Sequence, residues 1–380
     1  MDLGLTDEHL ALQATVRDFA RSELAPHVDE WDLAGSIPAG VVHALGDLGL
    51  FGLVFPEAWG GGDGDFLSLC LAIEEIGRVD QSVGITLSAG VGLGANPIFR
   101  FGNDAQCARW LPDLVAGRAL GAFGLTEPDG GSDTASLRTR AVRDGDEWVL
   151  NGEKAFITNS GTPVTTVVTV AARTEDGRIS TFLVPSGTPG LIVEPARRKL
   201  GWHASDTHDL RFDDCRVPAG HLLGDPGAGL RNFLSILDDG RVAIAALALG
   251  CAQACLDHSV AYAQSRHAFG GPIGRFQAVS FALADLALAI EAGRALTYRA
   301  AWLKDRGQPF RKEAAMAKLH TTEAAVSATR VATQVFGGAG FMEDSPVARF
   351  YRDAKILEIG EGTSEIQRLV IARELGLPTR

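Results

Sequence analysis

Apolar residues recur at three- and four-residue spacing along the first third of the chain. The spacing is clear in ALQATVRDFARSEL (11–24), VVHALGDLGL (41–50) and LSLCLAIEEIGRV (67–79). This is the period of an α-helix with one buried face. Loops rich in glycine and proline, such as FPEAWGGGDGD (55–65), separate these stretches. The pattern predicts an N-terminal helical domain over residues 1–120.

The pattern changes at about residue 121. Short stretches rich in β-branched residues follow, among them VTTVVTVAAR (164–173) and ISTFLVP (179–185). Asp144-Gly145 and Asn151-Gly152 are both predicted to be hairpin turns. No helix-like segment intervenes to carry a crossover between parallel strands, so residues 121–230 are predicted to form an antiparallel β domain.

The helical period returns in three long stretches, at about 229–265, 276–305 and 312–335. Long helices that are joined by short loops pack as a bundle. We therefore predict a C-terminal domain that resembles a four-helix bundle over residues 231–380. The whole chain is predicted to have an α+β fold.

Composition excludes several classes of protein. The chain has 380 residues, a formal net charge of −12 and a pI near 5.2, which argues against a nucleic-acid partner. Its longest apolar run lies between Arg241 and Asp257, is interrupted by Gln253 and is shorter than the roughly 20 residues that a transmembrane helix needs. The acidic start, MDLGLTDEHL, resembles neither a secretory signal nor a transit peptide. We expect no membrane span and a cytoplasmic location, with an organelle matrix as the alternative.

Two weak motifs are better explained by packing. Cys251, Cys255 and His258 share one face of a predicted helix, as metal ligands would. A structural zinc needs four ligands and no fourth is apparent, so we predict no metal. The G-x-G-x-x-A match at 90–95 precedes Pro97 without a βαβ pattern, so it predicts no dinucleotide site. The five cysteines are odd in number, which is typical of a reducing compartment.

One carboxylate stands out near the C-terminus, in ILEIGEGTSEIQR (356–368). Glu361 lies between two glycines, where the backbone can adopt unusual conformations. Ser364 and Gln367 fit a capping box, which predicts a helix that starts at 364 or 365. Since the N-terminus of a helix binds anions readily, Glu361 is predicted to lie beside an anion site. The alternative is a loop glutamate in solvent.

Five segments together resemble the acyl-CoA dehydrogenase family. They are FGLTEPDGGSD (123–133), WVLNGEKAFITNS (148–160), SRHAFGGPIGRFQAV (265–279), QVFGGAGF (334–341) and EGTSEIQRLVIARE (361–374). They occur in the family's order along essentially the whole chain, and the likeness is greatest to short-chain and bacterial members. The resemblance implies the family's fold, an FAD cofactor and oxidation of an acyl-CoA thioester to its trans-2-enoyl product.

The resemblance also implies a mechanism. An α-proton of a thioester is too weakly acidic to leave unless the carbonyl is polarised, so the site needs a positioned base and hydrogen-bond donors. By resemblance, Glu361 is that base, and its own backbone N–H and a ribityl hydroxyl of FAD bind the carbonyl oxygen. The β-hydrogen leaves as hydride to flavin N5. Burial beside substrate and flavin is expected to raise the pKa of the carboxylate.

A first set of residues matches the family's FAD contacts. The set comprises Phe123, Leu125, Thr126, Ser132, Phe156, Ile157, Thr158, Arg266, Phe269, Phe276, Gln277, Gln334, Val335, Phe336, Gly337, Gly338, Thr363, Ser364 and Glu365. Many relatives have tryptophan where Phe156 stands, so shielding of one flavin face is expected to differ. Without the resemblance, Phe156 would be interpreted as a strand aromatic in a β core and Arg266 as a solvated helix end.

A second set is expected to contact the substrate: Ser132, Asp238, Gly240, Arg241, Gly360 and Gly362. Some branched-chain relatives place the base at the position of Gly240 and lack the loop glutamate. Here that position is glycine, which favours Glu361 as the base. Alone, Asp238 and Arg241 would be interpreted as an ion pair on a helix surface. Many relatives have tyrosine where Gly360 stands, so a wider pocket is expected.

The resemblance further implies an electron-transferring flavoprotein as electron acceptor and a homotetramer, a dimer of dimers. Three alternatives stay open. They are the same oxidation on an acyl carrier protein thioester, a flavin oxidase or monooxygenase on this fold, and a non-catalytic helical scaffold. A colourless protein that fails to bind added FAD would indicate the scaffold, and rapid reoxidation of reduced flavin by air would indicate an oxidase.

Overall fold

Seven α-helices form the N-terminal part of the computed structural model, which describes residues 4–379. They are α1 (Asp7–Phe19), α2 (Val28–Ala34), α3 (Ala39–Asp47), α4 (Phe66–Gly77), α5 (Gln81–Ala89), α6 (Asn96–Phe101) and α7 (Asp104–Val115). Polar side chains that accept from the first turn begin several of them, namely Thr6 for α1, Asp80 for α5 and Asn103 for α7. The helical character predicted for this region is confirmed.

The G-x-G-x-x-A segment lies in a helix and not in a βαβ unit. A π-helical turn, Gly90–Ala95, joins α5 to α6. The resulting stretch, Gln81–Phe101, has the length and composition to cross a membrane, and 78% of its most apolar window is buried inside the protein. That burial is what the core helix of a globular fold shows.

Eight strands form one sheet in the middle of the chain. They are β1 (Leu120–Gly124), β2 (Arg140–Asp144), β3 (Glu147–Thr158), β4 (Thr165–Arg173), β5 (Ile179–Pro185), β6 (Leu191–Val193), β7 (Thr207–Pro218) and β8 (Leu222–Leu223). The order across the sheet is β6-β7-β3-β2-β4-β5-β8, and β1 pairs with β4. Most of the pairings are antiparallel, as predicted.

The sheet departs from the antiparallel prediction around β4. β1 pairs with β4 in parallel over all of Leu120–Gly124, and β2 meets β4 in parallel at Arg140 and Arg173. The chain crosses from β1 to β4 through the β2–β3 hairpin. The sequence contains no helix that could connect parallel strands, and for that reason an antiparallel domain was predicted. Here a hairpin makes the connection instead of a helix.

One of the two predicted turns is correct. Gly145 (φ +58°) lies in the turn between β2 and β3. Asn151-Gly152 lies inside β3 instead, at a register shift against β7. A Cβ at Gly152 would lie 2.7 Å from the Thr139 Cα, so glycine here allows the close approach of two backbones at a bulge.

The C-terminal part contains α8 (Gly229–Ser265), a small hairpin of β9 (His267–Ala268) and β10 (Gly271–Pro272), α9 (Gln277–Asp305), α10 (Arg311–Phe336), α11 (Pro346–Ala354) and α12 (Ser364–Glu374). The three long helices match the predicted stretches closely. α8 is about 55 Å long at 1.5 Å per residue and packs against α4, α9 and α10, while its first turns contact β4 and β5. This one helix therefore touches all three parts of the fold.

Candidate active site

The backbone at Glu361 is held in an unusual conformation. Glu361 has φ +52° and Gly362 has φ +97°, both in the left-handed region. A non-glycine residue there costs about 1–3 kcal/mol and persists only where its surroundings enforce it. A Cβ at Gly362 would lie 2.8 Å from Gln367 Nε2, whereas one at Gly360 would meet only Ile356 O, at 3.5 Å. Glycine is therefore required after Glu361 but not before it.

Two buried side chains fix the carbonyl of Gly362. Lys318 Nζ, from α10, donates to this oxygen at 2.7 Å, and Gln367 Nε2 donates to it at 2.8 Å. Both side chains belong to residues with no exposed surface. Gln367 therefore does not complete the predicted capping box. The N-cap of α12 is Thr363, which accepts from Ile366 N–H at 3.3 Å, so the predicted cap at Ser364 is one residue late.

The carboxylate of Glu361 packs against Gly240 in α8. A Cβ built at Gly240 would lie 1.6 Å from Glu361 Oε2 and 2.7 Å from its Cδ. The space that a side chain at 240 would fill is thus taken by the glutamate. Although Glu361 as a whole is half-buried, its Oε2 is closed off from solvent and has no hydrogen-bond partner among residues 4–379.

Burial raises the pKa of Glu361 to about 7, because the charged form loses its solvation. The positive charges of Lys318 and Arg241 act in the opposite direction and lower the pKa, and the charge of Asp239 raises it. Burial outweighs the two cations. A carboxyl with this pKa exchanges a proton readily near neutral pH, as a general base must.

Asp238 and Arg241 form an ion pair, but it is not the surface pair that the sequence alone suggested. Arg241 is 5% exposed, and its Nη1 donates to Asp238 Oδ1 one turn earlier on α8. Arg311, from α10, approaches the same carboxylate at 3.3 Å. Burial raises the pKa of Asp238 and lowers that of Arg241. The Arg241 Nε atom is buried without an acceptor in the described part of the chain.

α8 also reaches the first flavin-matching segment. The ring of Phe123, in β1, lies 4.1 Å from that of Phe233, and both belong to a buried cluster with Leu125 and Ile236. Phe233 precedes Gly240 by seven residues, so about 10 Å of helix separates this cluster from the Glu361 carboxylate.

A buried ion pair fixes the turn that follows β1. Lys154 Nζ donates to Glu127 Oε1 at 2.7 Å and to Leu125 O at 3.2 Å. Glu127 also accepts from the Thr139 hydroxyl at 2.6 Å. Thr126, which is half-buried, is thereby held between two anchored neighbours. Ser132, farther along the same loop, is exposed.

Phe156 is exposed, so its interpretation as a core aromatic is wrong. The residue lies at a register shift in β3 with φ +61°, and 62% of it is exposed. Its N–H donates to Asp209 Oδ1 at 3.1 Å, and the guanidinium of Arg197 lies 5.6 Å from its ring. Ile157 is buried and Thr158 half-buried. The bulge turns an aromatic ring outward at the position that matches a flavin contact.

The other flavin-matching residues lie largely at the surface. Arg266, Phe269, Gln277, Gln334, Gly337, Gly338 and Glu365 are exposed, and Phe276, Val335 and Phe336 are half-buried. Phe269 is 89% exposed on a backbone with φ +51°. The ring of Phe336 stacks on Tyr262 at 4.2 Å, which joins the end of α10 to the end of α8. Within residues 4–379, none of these residues forms a hydrogen bond with Glu361.

These residues fit a large, planar and anionic cofactor such as FAD. Ser364 Oγ, in the first turn of the 11-residue helix α12, is buried with no partner among the described residues. Helix N-termini and free hydroxyls bind phosphate. Apart from neighbouring residues of the chain, no described residue has an atom within 4 Å of a Cβ built at Gly337 or Gly338, so their backbone is open to a ligand. The exposed rings of Phe156 and Phe269 offer apolar surfaces on which a flat ring can stack.

Cys251 and Cys255, the two cysteines of the sequence motif, are buried in α8, whereas His258 is exposed. Within residues 4–379, no three His, Cys, Asp or Glu side chains come together as metal ligands would.

Sequence reasoning missed Lys318 and the role of Gln367. A lysine in the middle of an amphipathic helix gives no signal of burial, because its contact with Gly362 exists only after α10 packs against α12. Gln367 gave a signal, but one that pointed to a helix cap.

Sequence comparison identifies relatives of the chain over its whole length. Profiles described as acyl-CoA dehydrogenase N-terminal, middle and C-terminal domains match residues 6–118, 122–215 and 227–376. A probable acyl-CoA dehydrogenase of Bacillus subtilis is 49% identical over 378 residues, which cover 99% of this chain and all of that protein.

Two solved structures share the fold. Butyryl-CoA dehydrogenase from Megasphaera elsdenii has a TM-score of 0.96 and 44% identity, and the match covers 99% of this chain and all of that one. A chain from a study of the electron transferring flavoprotein of Acidaminococcus fermentans and flavin-based electron bifurcation has a TM-score of 0.96 and 42% identity, with 99% of each chain covered. The chain therefore belongs to the acyl-CoA dehydrogenase family of FAD-dependent oxidoreductases, and the predicted fold class and cofactor are confirmed.

Proposed function

We propose that this protein oxidises a short-chain acyl-CoA thioester to its trans-2-enoyl product, with Glu361 as the base. The observation that carries the proposal is the Glu361 carboxylate itself. It is buried against Gly240, it has an oxygen without a partner, and burial raises its pKa to about 7. Burying a carboxylate oxygen without a partner is costly, and in residues 4–379 no hydrogen bond to Oε2 offsets that cost.

The residues around Glu361 support removal of an α-proton. The free Oε2 is the atom that would accept the proton. In residues 4–379 the backbone N–H of Glu361 donates to no protein acceptor, so it can bind the thioester carbonyl oxygen and stabilise the charge that develops there. FAD, when bound, supplies the acceptor for the hydride that leaves the β-carbon.

The short-chain preference rests on likeness and on one position. The similar structure from Megasphaera elsdenii is a butyryl-CoA dehydrogenase. Gly360 leaves open space beside the base, since a Cβ there would meet only one atom within 4 Å. We propose a preference for acyl chains of about four to six carbons with tolerance of a branch, because each methylene in an apolar pocket is worth only about 1–3 kcal/mol.

Electron transfer and assembly complete the proposal. An electron-transferring flavoprotein is proposed as the acceptor, since such a protein is the subject of the study that contains the similar Acidaminococcus chain. A homotetramer is supported by large apolar side chains that a single chain leaves exposed, namely Phe281, Leu288 and Phe341. Burying these against further copies would remove them from water.

Replacing Glu361 with glutamine tests the proposed base. We expect Glu361→Gln to keep its FAD and lose about 10²–10⁴-fold in the rate at which butyryl-CoA bleaches the flavin under anaerobic conditions. Glu374→Gln, an exposed residue at the end of α12, serves as the control and should bleach normally. Wild-type bleaching by Glu361→Gln would rule out this residue as the base.

Adding one methyl group at Gly240 tests the placement of the carboxylate. Gly240→Ala puts a carbon 1.6 Å from the present position of Glu361 Oε2, so the carboxylate must move. We expect bleaching to slow by about 10²-fold, although alanine favours a helix interior by up to about 1 kcal/mol. Gly40→Ala in α3, where a Cβ meets nothing within 4 Å, is the matched control. Normal bleaching by Gly240→Ala would contradict the packing described above.

Replacing Gly360 with tyrosine tests the pocket. The φ of Gly360 is not in the left-handed region and a Cβ there has room, so the tyrosine is expected to be tolerated. Activity on 2-methyl-branched thioesters should fall more than activity on butyryl-CoA in steady-state assays. An equal loss on both, or a wild-type preference for palmitoyl-CoA, would show that this pocket does not select short branched chains.

A further inference from the structure

Lys318 is a buried lysine whose charge no carboxylate neutralises at close range. The residue is the eighth of the 26 residues of α10 and has no exposed surface, and no Asp or Glu oxygen lies within 4 Å of its Nζ in the described part of the chain. Among the described residues, the Nζ atom forms one hydrogen bond, which it donates to Gly362 O at 2.7 Å. Burying an ammonium group without a paired anion is costly, so a lysine at this place calls for a functional reason.

The hydrogen bond acts on the residue that follows the base. Gly362 O also accepts from Gln367 Nε2 at 2.8 Å, so one carbonyl is held by a charged donor and a neutral one. The peptide group that carries this oxygen follows two successive residues with positive φ. With the loop in this conformation, the Glu361 side chain extends toward Gly240.

The charge of Lys318 is the least offset positive charge near the base. Three charged side chains act on Glu361: Lys318, Arg241 and Asp239. Arg241 is paired with Asp238, and Asp239 is paired with Lys304 at 3.0 Å and Arg100 at 3.5 Å.

Lys318 in turn faces Glu361, Glu358 and Glu365 as acids and Arg241 as a cation. Burial lowers its pKa to about 8, so it is still mostly charged at neutral pH. Its field therefore favours the ionised form of Glu361, the form in which a base can act.

We propose that Lys318 is a positioning residue for the base: its ammonium holds the Gly362 carbonyl so that the Glu361 carboxylate stays against Gly240, and its charge favours the ionised carboxylate. The inference rests on the proposed function, in which Glu361 removes the α-proton. A purely structural contact between α10 and the loop would hold the Gly362 carbonyl but would not favour the ionised form of Glu361.

Gln367 separates these two effects, because it binds the same oxygen without a charge. Lys318→Met keeps the length and apolar volume of the side chain and removes both donor and charge. Gln367→Met removes a neutral donor, which binds Gly362 O and also Glu361 O at 3.4 Å, and removes no charge. Anaerobic flavin reduction by butyryl-CoA is measured from pH 5.5 to 9 for both, with FAD content as the check on folding. Hydrogen exchange of the backbone amides of residues 361–366 provides a second readout that is independent of turnover.

Both variants are expected to exchange these amides faster and to reduce flavin about 10- to 100-fold more slowly at the optimum pH, because the base is less well placed. Only Lys318→Met should move the acid limb of the rate profile, upward by about one pH unit. The sign follows from the lost positive charge, which disfavours the carboxylate and raises the pKa of Glu361. Lys318→Arg, which keeps charge and donors, should leave the limb near the wild-type pH.

An acid limb that stays at the wild-type pH in Lys318→Met would overturn the proposal. If Lys318→Met fails to bind FAD, Lys318→Gln provides a second variant with an uncharged side chain. An acid limb at the wild-type pH in Lys318→Gln would likewise overturn the proposal. A wild-type protein whose flavin no acyl thioester bleaches would instead refute the proposed function, so the two failures are distinguishable.

Discussion

The burial of one carboxylate against a glycine is the constraint on which the site depends. Glu361 Oε2 lies where a side chain at Gly240 would otherwise be, and no group in residues 4–379 donates a hydrogen bond to it. Such an arrangement is unfavourable for the isolated loop, because the backbone is strained and the charge is desolvated. The rest of the fold has to hold the loop in place, and it does so through α10 and α12.

α8 connects this constraint to the remainder of the molecule. Its first turns pack on β1 through Phe233, and two turns later it presents Gly240 and Arg241 to the loop that carries Glu361. The buried pair of Lys154 and Glu127 fixes the turn after β1 from the other side. The strand that carries Phe123 and the loop that carries Glu361 therefore both pack against α8, which limits how far either can move independently of the other.

Much of the fold and the family of the protein could be predicted from the sequence, whereas the mutual geometry of the site residues could not. Hydrophobic periodicity placed the three long C-terminal helices nearly to the residue, because each has a wide buried face. The parallel pairing of β1 with β4 and the outward bulge at Phe156 depend on which strands meet, which no local pattern encodes. The same holds for Lys318 and Gly362, which are 44 positions apart and meet only after packing.

The most direct measurement is an infrared titration of Glu361 in the FAD-bound, substrate-free protein. The C=O band of a protonated carboxyl group is recorded against pH, and the spectrum of Glu361→Gln is subtracted so that only this residue contributes. A buried carboxylate against Gly240 predicts a band that titrates with a midpoint near pH 7. A midpoint near the ordinary glutamate value of about 4.3 would mean that Glu361 is solvated, and it would contradict the structure of the site described here.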